Sequence, residues 1–274
     1  MKNMRFYLIL ISLVLMLGCQ KKEGIPETGV QADNSLDRVK QAGVLLWGAD
    51  VVGGIPYVYE DPENPGTYIG FEFDIANAIA KHMGVEQRMV IKAWDTLIPE
   101  LQKGSFDMAM NGIEDTEDRK NIVLFSDPYF VYSQQITVRK NTNGIKRLED
   151  LKGKKVATLS GTAAEDILRA TPGLEVHINP EIIYSYKDLE GGKVDAVLLD
   201  TPIAVAYGAS NPKLKNVGES FGGGAYVIAF RKEDISLQNV VNSALKMMKE
   251  NGELRTIYEK WSLIDKHQAK IGIK

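Results

Sequence analysis

Apolar positions fall in short blocks separated by longer amphipathic segments. Runs at 44–49 (VLLWGA), 87–91, 107–110 (DMAM), 135–138, 155–159 (KVATL), 195–199 (DAVLL) and 226–230 (YVIAF) predict strands. In 71–83, Ile75, Ala76, Ile79, Ala80 and Met83 recur at helical spacing and Gly84 suits the stop. Segments 94–103, 116–120, 163–169 and 201–209 predict further helices, with Pro99 near a kink or a late start. Residues 237–261 predict one or two amphipathic helices broken near Asn251 and Gly252. Strands alternating with helices imply parallel sheets covered by helices, an α/β fold.

The N-terminus follows a different pattern. Lys2 and Arg5 precede a mostly apolar stretch, Phe6 to Leu17. It falls short of the roughly 20 apolar residues a spanning helix needs, and reads as the h-region of a secretory signal. It runs into Met16-Leu17-Gly18-Cys19, which resembles the lipobox of bacterial lipoproteins, where the cysteine receives a diacylglycerol. The single cysteine of the chain falls there, which favours the lipid over a buried thiol. The same count excludes a disulfide framework and a cysteine zinc site. Residues 1–19 are thus expected to be a lipoprotein signal peptide. Residues 20–35, polar and interrupted by Gly and Pro, are expected to be a flexible tether. The body beyond is expected outside the cytoplasm, lipid-anchored at the periplasmic or cell-surface face of a bacterial membrane.

The 274 residues carry a formal charge of −3, so no basic excess is available for nucleic acid. Catalytic motifs are weak. Gly218-Glu219-Ser220-Phe221-Gly222 matches G-x-S-x-G, but a strand and not a helix follows, and only His267 lies downstream. His82 and His177 are isolated from any second ligand. No catalytic residue, metal site or cofactor is expected.

The informative residues form one ordered series: 70–76 (GFEFDIA), 94–99 (WDTLIP), 104–107, 111–119 (NGIEDTEDR), 125–129 (FSDPY), 151–154 (LKGK), 160–162 (SGT), 194–202 and 258–261 (YEKW). In order and spacing the series resembles the bacterial extracellular solute-binding proteins of family 3, the polar-amino-acid receptors of ABC importers. The resemblance covers nearly all of residues 36–264. It implies a periplasmic-binding-protein-like type II fold: two discontinuous α/β lobes joined by a two-strand hinge, with the ligand in the cleft. Crossings are expected near 132–135 and 221–224, giving lobe 1 as 36–132 plus 225–274 and lobe 2 as 136–221.

The resemblance also implies site residues. Arg119 corresponds to the arginine that grips the ligand's α-carboxylate, a role suited to a planar, permanently charged fork. Read alone, it is equally an ordinary partner for Asp115 or Glu117. Gly161, Thr162 and Ala163 open a helix after a strand, where free N–H groups favour an anion. A simple cap by Ser160 or Thr162 fits the same residues. Asp200 corresponds to the aspartate that pairs with the α-ammonium, or caps the helix after it. Trp94 corresponds to an aromatic packed on the ligand side chain, and Asp50 to a cleft residue at its far end. Asn111 and Gly112 precede the arginine. The aromatic that the family often has just after Asp50 is absent here, so either one wall of the side-chain pocket is missing or Tyr57 supplies it. Glu114 stands where the family usually has Ser or Thr. It either clamps the ammonium or neutralises Arg119 in the empty state, and with Asp50 and Asp200 it tilts the expectation toward a basic or amide ligand.

The implied protein is a monomeric receptor that closes on a polar amino acid and delivers it to an ABC permease. The alternatives are an enzyme like cyclohexadienyl dehydratase, an amino-acid-sensing lipoprotein without transport, and a glutamate-receptor or sensor-kinase type of ligand domain.

Overall fold

The computed structural model describes residues 33–274 apart from Gly53, Lys266 and Lys274. The expected signal peptide, Cys19 and most of the expected tether lie outside the described residues. The tether's expected end does not hold as drawn. Ser35 is buried and opens the first helix, with its hydroxyl 2.7 Å from Asp33 and 3.0 Å from the Ser236 hydroxyl.

The strands are β1 Val44–Ala49, β2 Tyr59–Glu60, β3 Tyr68–Ile69, β4 Glu86–Ile91, β5 Met108–Ala109, β6 Leu124–Phe125, β7 Phe130–Arg139, β8 Lys155–Leu159, β9 Glu175–Asn179, β10 Ala196–Asp200, β11 Leu214–Tyr226 and β12 Ala229–Phe230. The α-helices are α1 Ser35–Ala42, α2 Phe71–Met83, α3 Leu97–Gln102, α4 Glu117–Lys120, α5 Ala163–Ala170, α6 Ile182–Glu190, α7 Thr201–Ile203, α8 Ile235–Glu250 and α9 Glu253–Lys260. Gly84 ends α2 in the left-handed conformation, as its position predicts. Pro99 gives a late start: a 3₁₀ turn, Trp94–Thr96, precedes α3. The expected helix over 201–209 is α7 followed by a π-helical stretch, Ala204–Ala209.

Two five-stranded sheets form, in the orders β4-β1-β5-β12-β6 and β11-β7-β10-β8-β9. Each is mixed and not purely parallel. β1 pairs in parallel with β4 and β5, and β8 with β9 and β10, while β7, β11 and β12 pair antiparallel. β7 and β11 are the long strands by which the chain passes from the first sheet to the second and back. They pair from Arg139 with Leu214 to Phe130 with Tyr226, and the register shifts on either side of Phe221. The G-x-S-x-G match lies inside β11 and forms no strand-turn-helix elbow.

The core is rich in aromatic rings. Trp47, Phe71, Tyr129, Tyr226 and Tyr258 are fully buried. The Tyr226 ring stacks on Tyr132 with centroids 4.7 Å apart, and on Phe130 at 5.6 Å. Offset stacks of this kind add to area burial. They also hold β7 and β11 together beside the cavity described next.

Candidate functional site

Open α/β sheets bind ligands at the carboxyl ends of their strands. Here those ends in both sheets meet at one cavity. Asp50 follows β1, Asn111 and Gly112 follow β5, and Thr162 follows β8, while Asp200 ends β10. The wall is completed by Val52, Gly54, Tyr57, Trp94 and Glu114 from the first-sheet side, and by Leu159, Ile182, Leu199 and Ile203 from the second. The envelope is ≈ 460 Å³, of which ≈ 20 Å³ is open to the centre of a water molecule. That leaves room for one or two waters.

Backbone geometry fixes the first-sheet wall. The Asp50 carboxylate accepts the N–H of Val52 at 2.8 Å and of Trp94 at 3.2 Å. Burial pushes its pKa up, against the lowering effect of those two bonds. The Trp94 indole N–H donates to the Asn111 carbonyl at 2.8 Å, so this residue is tied both by its ring and by its backbone. Gly112 has φ +63°, and a Cβ there would lie 2.9 Å from the Tyr57 ring, so glycine alone fits without strain. Its N–H donates to Glu72 at 2.8 Å, and the Tyr129 hydroxyl donates to the same oxygen at 2.5 Å. Burial pushes Glu72 up to about 7, while these bonds pull it down. The side-chain nitrogen of Asn111 is buried and has no hydrogen-bond partner among the described residues.

The expected anion cradle is filled from within. Glu114, 1% exposed, bonds the Ala163 N–H at 2.9 Å through Oε1 and Arg119 Nη1 at 2.6 Å through Oε2. Arg119 also donates to the carbonyls of Glu114 at 2.9 Å and Gly161 at 2.7 Å. Its guanidinium lies 5.1 Å from the Trp94 ring centroid. Arg119 lines a neighbouring pocket with Trp94, Ile98, Ile113, Ile122 and Gly161, while Glu114 and not Arg119 lines the central cavity. The partner of Arg119 is therefore neither Asp115 nor Glu117. Thr162 caps α5, its Oγ1 accepting the Glu165 N–H at 3.2 Å and donating to the Leu159 carbonyl at 2.9 Å. Gly161, at φ +73°, gives its N–H to Glu165 at 2.7 Å.

Asp200, 5% exposed, makes no capping bond to α7. It accepts the Tyr226 hydroxyl at 2.5 Å and the Gln134 amide at 2.6 Å. Both partners are neutral. Burial, and after it the Glu114 charge, push its pKa well above the usual carboxylate range. The Tyr226 hydroxyl lies 2.7 Å from that of Tyr57, which ties Tyr57 into the same network. Tyr226, Gln134 and Glu72 escape a reading of the sequence. Each acts through a contact between distant segments, and its residue type carries no local signal.

The histidines lie elsewhere: His82 meets Glu253 at 2.8 Å and His177 meets Asp188 at 3.1 Å. No group of three or more His, Cys, Asp or Glu placed to hold a metal occurs among the described residues.

Comparison with known proteins identifies the family. The profile of bacterial extracellular solute-binding proteins, family 3, matches residues 51–264. The L-cystine-binding protein TcyJ of Escherichia coli (strain K12) is 34% identical over 229 residues, covering 82% of this chain and 85% of its own. The ABC transporter glutamine-binding protein GlnH of Bacillus subtilis (strain 168) is 31% identical over 265 residues, covering 93% and 96%. Among solved structures, an ancestral arginine-binding protein bound to arginine superposes with a TM-score of 0.76 at 40% identity, covering 80% of this chain and 98% of its own. The ancestral amino acid-binding protein AncCDT-1, a precursor of cyclohexadienyl dehydratase, gives 0.76 at 36%, covering 83% and 98%. The two-lobed type II fold is thereby established along with a solute-binding role, and the chain belongs to the bacterial extracellular solute-binding proteins of family 3.

Proposed function

We propose that this protein is an extracytoplasmic receptor that binds a polar amino acid of the basic or amide type between its lobes and delivers it to an ABC importer. The observation that carries the reading is the charge of the cavity wall. Among the described residues, Asp50, Glu114 and Asp200 line it and no lysine or arginine does; Arg119 pairs with Glu114 from the neighbouring pocket, while Asp50 and Asp200 are held by neutral donors. A ligand bearing positive charge relieves the repulsion among these acids and the desolvation of Asp200. Similar proteins named for cystine, glutamine and arginine support an amino acid. Lipid on Cys19 would keep the receptor beside a permease, two acyl chains being sufficient for stable anchoring.

Binding works by population shift, since a ligand touching both sheets' strand ends has its full contacts only in the closed form. The dehydratase-like alternative finds less support. Both Glu114 oxygens are already engaged, by Arg119 at 2.6 Å and by the Ala163 N–H at 2.9 Å, which leaves neither aimed at a substrate.

The test is titration calorimetry on the purified chain, unfolded and refolded to strip carried-over ligand, with the twenty amino acids, ornithine, citrulline and cystine. One-to-one binding of a basic or amide amino acid is expected. No heat with any of them overturns the reading, and prephenate turnover would then be measured.

A further inference from the structure

Both donors suited to a ligand carboxylate, the Arg119 guanidinium and the Ala163 N–H, are held by one carboxylate of the chain itself. Glu114 belongs to the first-sheet lobe, Ala163 and Gly161 to the second. The bonds Glu114–Ala163 and Arg119–Gly161 therefore bridge the cleft.

We propose that Glu114 is an internal stand-in for the ligand's α-carboxylate, and that binding is an exchange which selects zwitterions. This rests on the amino-acid receptor reading above. The incoming carboxylate takes the Ala163 N–H and Nη1 of Arg119. The released Glu114 turns to the incoming ammonium, which also meets Asp200. Glu114 and Arg119 each keep a charged partner through this exchange.

Ligands with one charge fail it. A carboxylate without an ammonium evicts Glu114 into a wall that already holds Asp50 and Asp200, and a buried charge stripped of its partner is strongly unfavourable. An amine without a carboxylate has nothing to offer Arg119 and the Ala163 N–H in place of Glu114, so Glu114 is not released to meet it. Glu114 thus sets specificity for the α-amino-acid pair of charges, whatever the side chain.

The experiment pairs each ligand with its deaminated counterpart, in both cases one whose side chain is neutral: citrulline with 5-ureidopentanoate, and glutamine with 4-carbamoylbutanoate. Calorimetry is run on the wild-type chain and on Glu114→Gln. The amino acid is expected to weaken at least tenfold in the variant. The carboxylate-only counterpart is expected to tighten at least tenfold, because Arg119 and the Ala163 N–H are freed. A residue that merely clamps the ammonium would leave the carboxylate-only ligand unchanged, and that result, or no detectable gain, overturns the exchange while leaving the receptor reading intact. Failure of the wild type to bind any amino acid overturns both. Small-angle scattering on the empty proteins gives a second readout: Glu114→Gln should be more open than the wild type, and identical profiles contradict the bridge. Should the glutamine variant not fold, Glu114→Thr carries the same expectations.

Discussion

Glu114 and Asp200 are carboxylates of the same cavity, 1% and 5% exposed, yet they are held in opposite ways. Glu114 has a guanidinium at 2.6 Å and a helix N–H at 2.9 Å. Asp200 has a phenol and a carboxamide, with the charge of Glu114 nearby raising its pKa further. Depth of burial is nearly equal, so depth does not distinguish them. The partner does: an adjacent cation compensates desolvation, and neutral donors do so only in part. Glu114 is satisfied by the protein, whereas Asp200 is left to gain from an incoming cation.

The largest effect expected from this contrast is on Arg119. Arg119→Ala strips Glu114 of its cation and should cost about 3–5 kcal/mol of stability, the usual loss for one partner of a buried pair. Urea unfolding measures it, and a loss below about 1 kcal/mol would erase the contrast. Glu72 is a third buried acid without a cation. Its folded pKa is raised from 4.5 to about 7, so the folded state keeps its proton longer than the unfolded chain. Stability from this group is therefore fully present below about pH 4.5 and declines as pH rises to about 7, by about 3 kcal/mol. Glu72→Gln should flatten that decline in unfolding experiments across the window, and an unchanged slope would show Glu72 to be ionised throughout.

Asp200→Asn keeps the shape and removes the charge. Ligand affinity should fall about 100-fold, or about 2.7 kcal/mol, while the thermal midpoint holds or rises, because no cation is orphaned. A falling midpoint would mean that Asp200 is as well compensated as Glu114. At the bottom of the scale stands Glu117, whose exposed side chain pairs with Lys120 at 2.6 Å. Glu117→Gln should leave the midpoint unmoved, because a solvated pair gains little.

Much of the framework was legible in the chain. The runs 44–49, 71–83 and 155–159 became β1, α2 and β8 without change, because each carries a strong periodic pattern and a clear stop. The strand expected at 135–138 proved to be the ten-residue β7, because its extension toward Phe130 is stabilised by pairing with distant β11. α1, β9 and α6 were not anticipated. In α1 only Leu36 and Val39 carry an apolar signal ahead of Ala42, too few to stand out beside a polar leader. At the site, the resemblance singled out Arg119, Glu114, Asp50 and Asp200; the structure puts the three acids on the central cavity and Arg119 on the pocket beside it, and which acid met the arginine did not follow from their order.

The sequence by itself determined the alternation of strands and helices, the glycine-terminated helix stops and the set of charged residues at strand ends, since these depend on local periodicity and backbone stereochemistry. Only the tertiary structure decided that Arg119 turns to Glu114, that Ala163 joins them from the other lobe, and that Asp200 is left with Tyr226 and Gln134. Those choices rest on distances between segments far apart in the chain. The strength of a charge pair depends on separation and burial, and both arise only when the two sheets come together.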